Sequence, residues 1–193
     1  MRIGILALQG GVEEHQAMLE RLDADVVRVR RPHELEGLDG VVIPGGESSV
    51  MDRLARTFGL ANPLMNAIAA GLPVMGTCAG LIYLAKEVHG LAPGQQTLGA
   101  LDITVARNSF GNQQDSFETS LDVGPVKDFP AVFIRAPKVL GIGGEVAVVA
   151  TLPDATIVGV RSGNLLGLSF HPESTPDVRV HQWWLEEFVG VRG

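Results

Sequence analysis

The sequence predicts an α/β fold: a single three-layer domain with a mostly parallel central sheet, to which the second half adds antiparallel strands. Over roughly the first 85 residues, apolar runs typical of buried strands alternate with segments of helical periodicity, which favours parallel strands joined by right-handed crossovers. Beyond Leu101 the predicted strands follow one another with few helices between them. The chain has 193 residues, 46% of them hydrophobic, which suits one domain with a sizeable core.

Each element has its own signal in the residue pattern. Short runs rich in apolar residues predict strands at residues 2–8, 26–29, 41–43 and up to Met75, and the continuous run at 2–8 suits a central parallel strand. Apolar residues at helical spacing predict helices at 12–22, 50–58 and 63–70, and another that includes residues 81–85. Strands are predicted in the second half at 101–106, 117–123, 131–134, 146–152, 156–160 and 165–169, before an amphipathic helix at 177–189.

Composition and charge restrict the partners and the compartment. The net charge of −7 argues against nucleic acid or an anionic membrane surface as the main partner. The chain has one cysteine, so no internal disulfide can form and a reducing compartment is expected. The first apolar run is too short for a signal peptide, and no run is long enough to cross a bilayer. We therefore expect a cytoplasmic protein without membrane contact.

The strongest chemical signal is Gly76-Thr77-Cys78-Ala79-Gly80, between a predicted strand and a predicted helix. It is the cysteine form of the nucleophile elbow, a tight turn that lifts the reactive side chain out of the sheet edge. The flanking glycines allow the close packing that such a turn needs. A buried cysteine is commonly only a small core residue, but this position favours a nucleophile.

A cysteine nucleophile needs a base and a group that orients the base. Of the five histidines, His171 lies at the end of a predicted strand, in His171-Pro172-Glu173. Pro172 favours an extended backbone at His171, and side chains two residues apart in extended chain point to one side. We therefore expect Glu173 to lie beside the His171 ring. Taken alone, an ordinary strand-end turn is an equally good interpretation; the elbow favours a triad.

The loop Pro44-Gly45-Gly46-Glu47-Ser48 also follows a parallel strand, so it reaches the same sheet edge as Cys78. A glycine N–H of this loop and the Ala79 N–H are candidate donors to an oxyanion. The loop lacks the lysine of ATP-binding glycine-rich loops, which argues against a nucleotide site. No metal-ligand spacing is present.

Together these segments resemble the class I, triad-type glutamine amidotransferases, and within them the glutaminase subunits of pyridoxal 5′-phosphate synthase. The resemblance covers most of the chain and is weakest over residues 139–165. The matching segments are Gly4-Ile5-Leu6-Ala7-Leu8-Gln9-Gly10, Pro44-Gly45-Gly46-Glu47-Ser48, Gly76-Thr77-Cys78-Ala79-Gly80, Arg107-Asn108-Ser109-Phe110-Gly111, Asp115-Ser116-Phe117-Glu118, Phe133-Ile134-Arg135-Ala136-Pro137 and Ser169-Phe170-His171-Pro172-Glu173.

The resemblance implies a flavodoxin-like fold and a glutaminase mechanism. Cys78 would attack the glutamine side-chain amide, His171 would protonate the leaving ammonia, and Glu173 would orient His171. Water would then hydrolyse the glutamyl thioester to glutamate. Gly46 and Ala79 would form the oxyanion hole. The residues implied to bind L-glutamine are Gly46, Glu47, Ser48, Arg107, Ile134 and Arg135.

The resemblance also implies a partner and no cofactor. Ammonia would pass to a synthase subunit that builds pyridoxal 5′-phosphate, in a complex of twelve glutaminase and twelve synthase subunits. In this family the glutaminase is largely silent until the synthase docks and helps to complete the oxyanion hole. No metal is implied.

Two other hypotheses remain open from the sequence. A cysteine-dependent stress protein or peptidase would share the elbow, but such proteins lack the His-Pro-Glu at the end of a late strand. A non-enzymatic subunit that only stabilises a complex would give no reason for a cysteine, a histidine and a glutamate in these positions.

Overall fold

The computed structural model describes residues 1–108 and 116–190. The strands in these ranges are β1 (Arg2–Leu6), β2 (Asp25–Val29), β3 (Gly40–Ile43), β4 (Val74–Thr77), β5 (Ala85–His89), β6 (Leu101–Ala106), β7 (Ser116–Val123), β8 (Val126–Ile134), β9 (Lys138–Ile142), β10 (Ala147–Thr151), β11 (Ile157–Ser162) and β12 (Leu165–Leu168). The helices are α1 (Val12–Glu20), α2 (Ser48–Thr57), α3 (Ala61–Ala69), α4 (Ala79–Leu84) and α5 (Arg179–Trp184).

The main sheet has the strand order β2-β1-β3-β4-β12-β11-β9-β6-β5, with β10 paired to β11. Strands β2, β1, β3, β4 and β12 pair in parallel, whereas β11 pairs antiparallel with β12, β9 and β10. Strands β7 and β8 form a separate antiparallel hairpin. The predicted α/β fold, mostly parallel with added antiparallel strands, is confirmed.

Both faces of the sheet are covered, because alternate strand residues point to opposite sides. Ile5, Val42 and Met75 belong to a core with residues of α1, α5 and the β7–β8 hairpin. Leu6, Val41, Ile43 and Val74 belong to a second core with residues of α2, α3 and α4. The strands thus read as continuous apolar runs because each is buried on both faces.

The register brings three strand ends together. Met75 of β4 pairs with Val42 of β3, and Thr77 of β4 pairs with Leu168 of β12. The chain segments that follow these strands therefore leave the sheet at one edge, side by side. This edge receives the elbow, the glycine loop and the His171 segment.

The structure differs from the prediction in three places. The helix after the elbow ends at Leu84, so the prediction that Ala85 belongs to it is wrong: Ala85 begins β5, which pairs with β6. Strand β9 was also not predicted. The last helix begins at Arg179 and continues as a π-helical turn, Leu185–Val189. Among the described residues, no helix has the length and apolar character needed to cross a membrane.

Candidate active site

Cys78 occupies the turn between β4 and α4, as predicted. Its φ of +49° and ψ of −104° place a non-glycine residue in a backbone region that L side chains rarely adopt. The Cys78 N–H donates to the carbonyl of Leu168 at 2.8 Å, which ties the turn to β12. Strain of this kind is typical of functional sites, where the surrounding structure holds an unfavourable backbone.

The two elbow glycines are required by close packing. A Cβ on Gly80 would overlap the backbone carbonyl of Ile43 on β3. A Cβ on Gly76 would lie 2.6 Å from Leu84 Cδ1 and 2.8 Å from the carbonyl carbon of Gly80. Any side chain at either position would therefore force α4 away from the sheet.

His171 and Glu173 lie together, although not for the reason that the sequence suggested. His171 Nδ1 is 2.7 Å from Glu173 Oε1. The backbone does not stay extended through Glu173: Pro172–Ser174 form a 3₁₀ turn after His171, so the argument from extended spacing is wrong. The His171 N–H donates to the carbonyl of Val132 at 2.8 Å, which fixes the start of this turn against β8.

His171 is charged at neutral pH. Burial lowers the pKa of His171, but hydrogen bonds to Cys78 and Glu173, together with their charges, outweigh burial and raise it to about 10. Since Nδ1 is engaged by Glu173, the other ring nitrogen is the one available to Cys78. The site thus holds a proton on the imidazole beside the sulfur.

Glu173 is ionised although its side chain is 3% exposed. Burial raises its pKa, but the nearby His15 and the hydrogen bond and charge of His171 lower it to about 2. An acceptor that keeps its charge at all physiological pH values can hold the His171 ring in one orientation.

The predicted oxyanion loop lies against the triad. A Cβ on Gly45 would overlap Cε1 of the His171 ring and lie 3.3 Å from Cys78 Cβ, so the close approach of this loop to the triad requires a glycine. Gly46 has a φ of +142°, and the Glu47 N–H donates to Gln9 Oε1 at 2.7 Å. On the other side, hydrogen bonds within α4 begin with the Ile82 N–H to the Cys78 carbonyl, so the Ala79 N–H has no acceptor inside the helix.

The two arginines lie at different depths. The Arg107 side chain is 18% exposed, and its Nη2 lies 3.8 Å from Glu47 Oε2. Arg135 is exposed and has a φ of +43°. The carbonyl oxygen of Ile134 lies 3.9 Å from Cys78 Sγ. The Arg107 guanidinium, the Glu47 carboxylate and the Cys78 sulfur thus belong to the same site.

These residues line one cleft of about 270 Å³. Its walls are Gln9, Gly46, Glu47, Ser48, Cys78, Ala79, Ile82, Arg107, Asn108, Ile134, Arg135 and His171. Every residue predicted to bind substrate or act in catalysis lines this cleft, except Glu173, which lies behind His171. Motif residues Ser109-Phe110-Gly111 and Asp115 lie outside the described residues.

Sequence reasoning gave no role to two glutamines that organise the cleft. Gln9 follows β1 at the same sheet edge and binds the Glu47 N–H. Gln95 donates to Ser48 Oγ at 2.9 Å, and its Oε1 accepts from Arg107 Nη1 at 3.3 Å. The position of Gln9 after a parallel strand was a usable signal, whereas nothing in the sequence marks Gln95. Within residues 1–108 and 116–190, no group of three His, Cys, Asp or Glu side chains could hold a metal.

Comparisons with known proteins agree on one family. The model of the SNO glutamine amidotransferase family matches residues 5–190. A relative from Corynebacterium glutamicum (strain R), named pyridoxal 5′-phosphate synthase subunit PdxT, is 57% identical over 100% of this chain and 98% of its own length. A relative with the same name from Leifsonia xyli subsp. xyli is 56% identical over 98% of this chain and 96% of its own length.

Solved structures give the same result. A crystal structure described as a glutamine amidotransferase aligns with a TM-score of 0.92 and 44% identity, over 97% of this chain and 98% of that one. PurLQS from Thermotoga maritima aligns with a TM-score of 0.68 over 96% of this chain and 97% of that one; at 20% identity this supports the fold alone.

Proposed function

The chain belongs to the SNO glutamine amidotransferase family, and from this premise we propose that it is the glutaminase subunit of a pyridoxal 5′-phosphate synthase, acting through Cys78, His171 and Glu173. The observation that carries the proposal is the single cleft in which Cys78 and His171 meet a charged pair, Arg107 and Glu47. The triad accounts for hydrolysis, and the charged pair accounts for recognition of an amino acid.

In the proposed reaction the Cys78 sulfur attacks the carboxamide carbon of glutamine. The proton on His171 passes to the leaving nitrogen, the C–N bond breaks, and ammonia departs from a glutamyl thioester. Water, deprotonated by His171, then attacks the thioester carbon, and the C–S bond breaks. Glutamate leaves, Cys78 is released as the thiolate beside the protonated His171, and the remaining proton is lost to solvent. Glu173 keeps the His171 ring oriented through both steps.

The negative oxygen that forms on the carboxamide needs hydrogen-bond donors. We assign this role to the N–H groups of Gly46 and Ala79, on the two sides of Cys78. Both residues line the cleft. A fixed pair of backbone donors costs no reorganisation at the moment of reaction, which is why such donors contribute strongly to the rate.

The zwitterionic end of glutamine requires both charges. A guanidinium suits the α-carboxylate because it can bind both oxygens, and a carboxylate suits the α-ammonium group. Arg107 and Arg135 supply the first and Glu47 the second, with Ser48 and the Ile134 carbonyl as further polar contacts. This assignment uses every polar residue that the resemblance implied for substrate.

We further propose that residues 1–193 form one amidotransferase domain and that its partner is a synthase subunit, in a complex of twelve plus twelve subunits. The relatives are named as subunits of pyridoxal 5′-phosphate synthase, which supports a partner of this kind. Ammonia would be channelled to that subunit. If hydrolysis begins only when the synthase subunit binds, glutamine is not consumed without an acceptor for the ammonia.

The proposed function predicts partner-dependent hydrolysis. Glutamate release from glutamine should rise by about 10²-fold when the purified chain is mixed with its synthase subunit, since one missing oxyanion donor costs about that much. The measurement is a coupled assay of glutamate with and without the synthase, with albumin in place of the synthase as the control. Absence of glutamate release from the mixture would contradict the proposal.

A second function has no comparable support. Stress proteins and peptidases with an elbow cysteine lack the His-Pro-Glu after a late strand, whereas His171 and Glu173 follow β12 here and are 2.7 Å apart. A non-catalytic subunit would not need Cys78 to hold a strained backbone.

A further inference from the structure

Two histidines behind the triad have no part in the mechanism above. His15 on α1 and His181 on α5 are both fully buried, at 0% exposure. His15 Nδ1 lies 2.9 Å from His181 Nε2. Burying a polar ring costs solvation free energy unless hydrogen bonds compensate. The contacts of these two histidines therefore indicate what their burial contributes to the protein.

The other nitrogen of His15 faces the triad. His15 Nε2 is 3.3 Å from Glu173 Oε2 and 3.1 Å from Thr77 Oγ1. Thr77 directly precedes Cys78 in the chain, and Glu173 orients His171. One buried ring on α1 therefore contacts both the elbow that carries the sulfur and the carboxylate that orients the base.

The protonation of this pair follows from burial. Burial and the neighbouring His15 lower the pKa of His181 to about 3, and burial also lowers the pKa of His15 despite the nearby Glu173. Each neutral ring has one N–H. Because Thr77 Oγ1 can accept and a carboxylate only accepts, the favourable tautomer of His15 has its hydrogen on Nε2, where it is hydrogen-bonded to Thr77 and its edge faces Glu173. Its Nδ1 then accepts from Nε2–H of His181.

The two oxygens of Glu173 differ in their surroundings. Oε1 lies 2.7 Å from His171 Nδ1. Oε2 is buried and, among the described residues, makes no hydrogen bond of good geometry; the Nε2 edge of His15 faces it at 3.3 Å. A carboxylate held at one oxygen can still rotate, whereas a second polar contact fixes its plane.

We infer that His15 is a positioning residue: it holds the Glu173 oxygen that His171 does not use and links it to Thr77, while His181 sets the tautomer of His15. This role rests on the proposed glutaminase function, because His15 would affect the rate of glutamine hydrolysis only through Glu173 and His171. The side-chain partners found for His15 are His181, Thr77 and Glu173, and none of these three lines the substrate cleft.

The first test is His15→Leu, assayed as the complex with the synthase subunit. We expect kcat for glutamate release to fall by about 10–100-fold, since a small misplacement of a catalytic group costs on this order. The KM for glutamine should stay within about threefold, because the substrate contacts are unchanged. His15→Gln, whose amide can reach Glu173, should recover most of kcat, whereas the shorter His15→Asn should not.

Two controls separate positioning from simple destabilisation. Leu19→Ala changes an equally buried residue of α1 that has no part in the site, and should leave kcat within about twofold of wild type. In a Glu173→Ala background, His15→Leu should have almost no further effect on kcat. An unchanged kcat in His15→Leu, an equal fall in both backgrounds, or equal activity of His15→Gln and His15→Asn would overturn the inference.

A second readout does not depend on glutaminase activity. The hydrogen between His171 and Glu173 should give a low-field proton NMR signal in the wild-type chain, and this signal should shift or vanish in His15→Leu but not in Leu19→Ala. A signal in His15→Leu at the wild-type chemical shift and intensity overturns the positioning role. Absence of glutamate release from the wild-type complex would instead refute the proposed function, so the two failures are distinguishable.

Discussion

Replacing Cys78 with alanine should abolish glutamine hydrolysis by the complex, lowering kcat by at least about 10⁴-fold. The reason is that the proposed route passes through a thioester, and no other residue can form it: Cys78 is the one cysteine in the sequence. Glutamate release by Cys78→Ala and wild type, each with the synthase subunit, is the measurement.

Binding of glutamine provides the control for this variant. Arg107, Arg135 and Glu47 are proposed to hold the amino-acid end of glutamine, and Cys78→Ala leaves all three in place. The dissociation constant measured by calorimetry should therefore stay within about threefold of wild type. Turnover by Cys78→Ala at the wild-type rate would refute the nucleophile assignment.

Replacing Gly80 with alanine should damage both stability and activity. The new Cβ would overlap the backbone carbonyl of Ile43, which has no alternative rotamer to adopt. We expect a loss of about 2–4 kcal/mol in the free energy of unfolding, because over-packing against backbone forces elements apart. We also expect roughly a 10²-fold loss of kcat, because α4 and the elbow must move together.

Gly144→Ala is the matched control for Gly80→Ala. A Cβ on Gly144 meets no atom within 4 Å, and its backbone needs no positive φ. Its free energy of unfolding, measured by urea denaturation, should stay within about 0.5 kcal/mol of wild type. Equal stability and activity of the Gly80→Ala and Gly144→Ala variants would show that the elbow does not depend on this close approach.

The sequence was informative wherever burial and backbone geometry restrict the residue type. Strands β1, β3 and β4 are buried on both faces, so they read as continuous apolar runs. The elbow was predicted because a strained turn beside a sheet needs Gly76 and Gly80. His171 was found because it follows β12, a strand that ends at the same sheet edge as the elbow of Cys78.

The missed strands lack these restrictions. Strand β5 carries Lys86, Glu87 and His89 and lies at the end of the strand order, where β6 is its one strand partner among the described residues. Strand β9 exposes the apolar residues Leu140 and Ile142, so its residue types do not alternate between apolar and polar. Such strands are defined by the partners they pair with, which local pattern does not reveal.

The missed site residues depend on contacts between distant parts of the chain. Gln95 reaches Ser48 from a loop 47 residues away, and His15 reaches Glu173 from the first helix. At helical spacing His15 reads as part of the apolar face of α1, and its polar role emerges only when α5 and the Glu173 turn pack against it. Tertiary packing, rather than local sequence, creates these contacts.

The most direct test of the account is covalent trapping of the nucleophile. A diazo-ketone analogue of glutamine should alkylate the Cys78 sulfur. The C–S bond of a thioether forms as N₂ leaves. After incubation with the complex, peptide mass spectrometry should find one label, on Cys78, and the label should form much more slowly in His171→Asn. A label on another residue, or none in a complex that hydrolyses glutamine, would contradict the claim that Cys78 and His171 carry out the reaction.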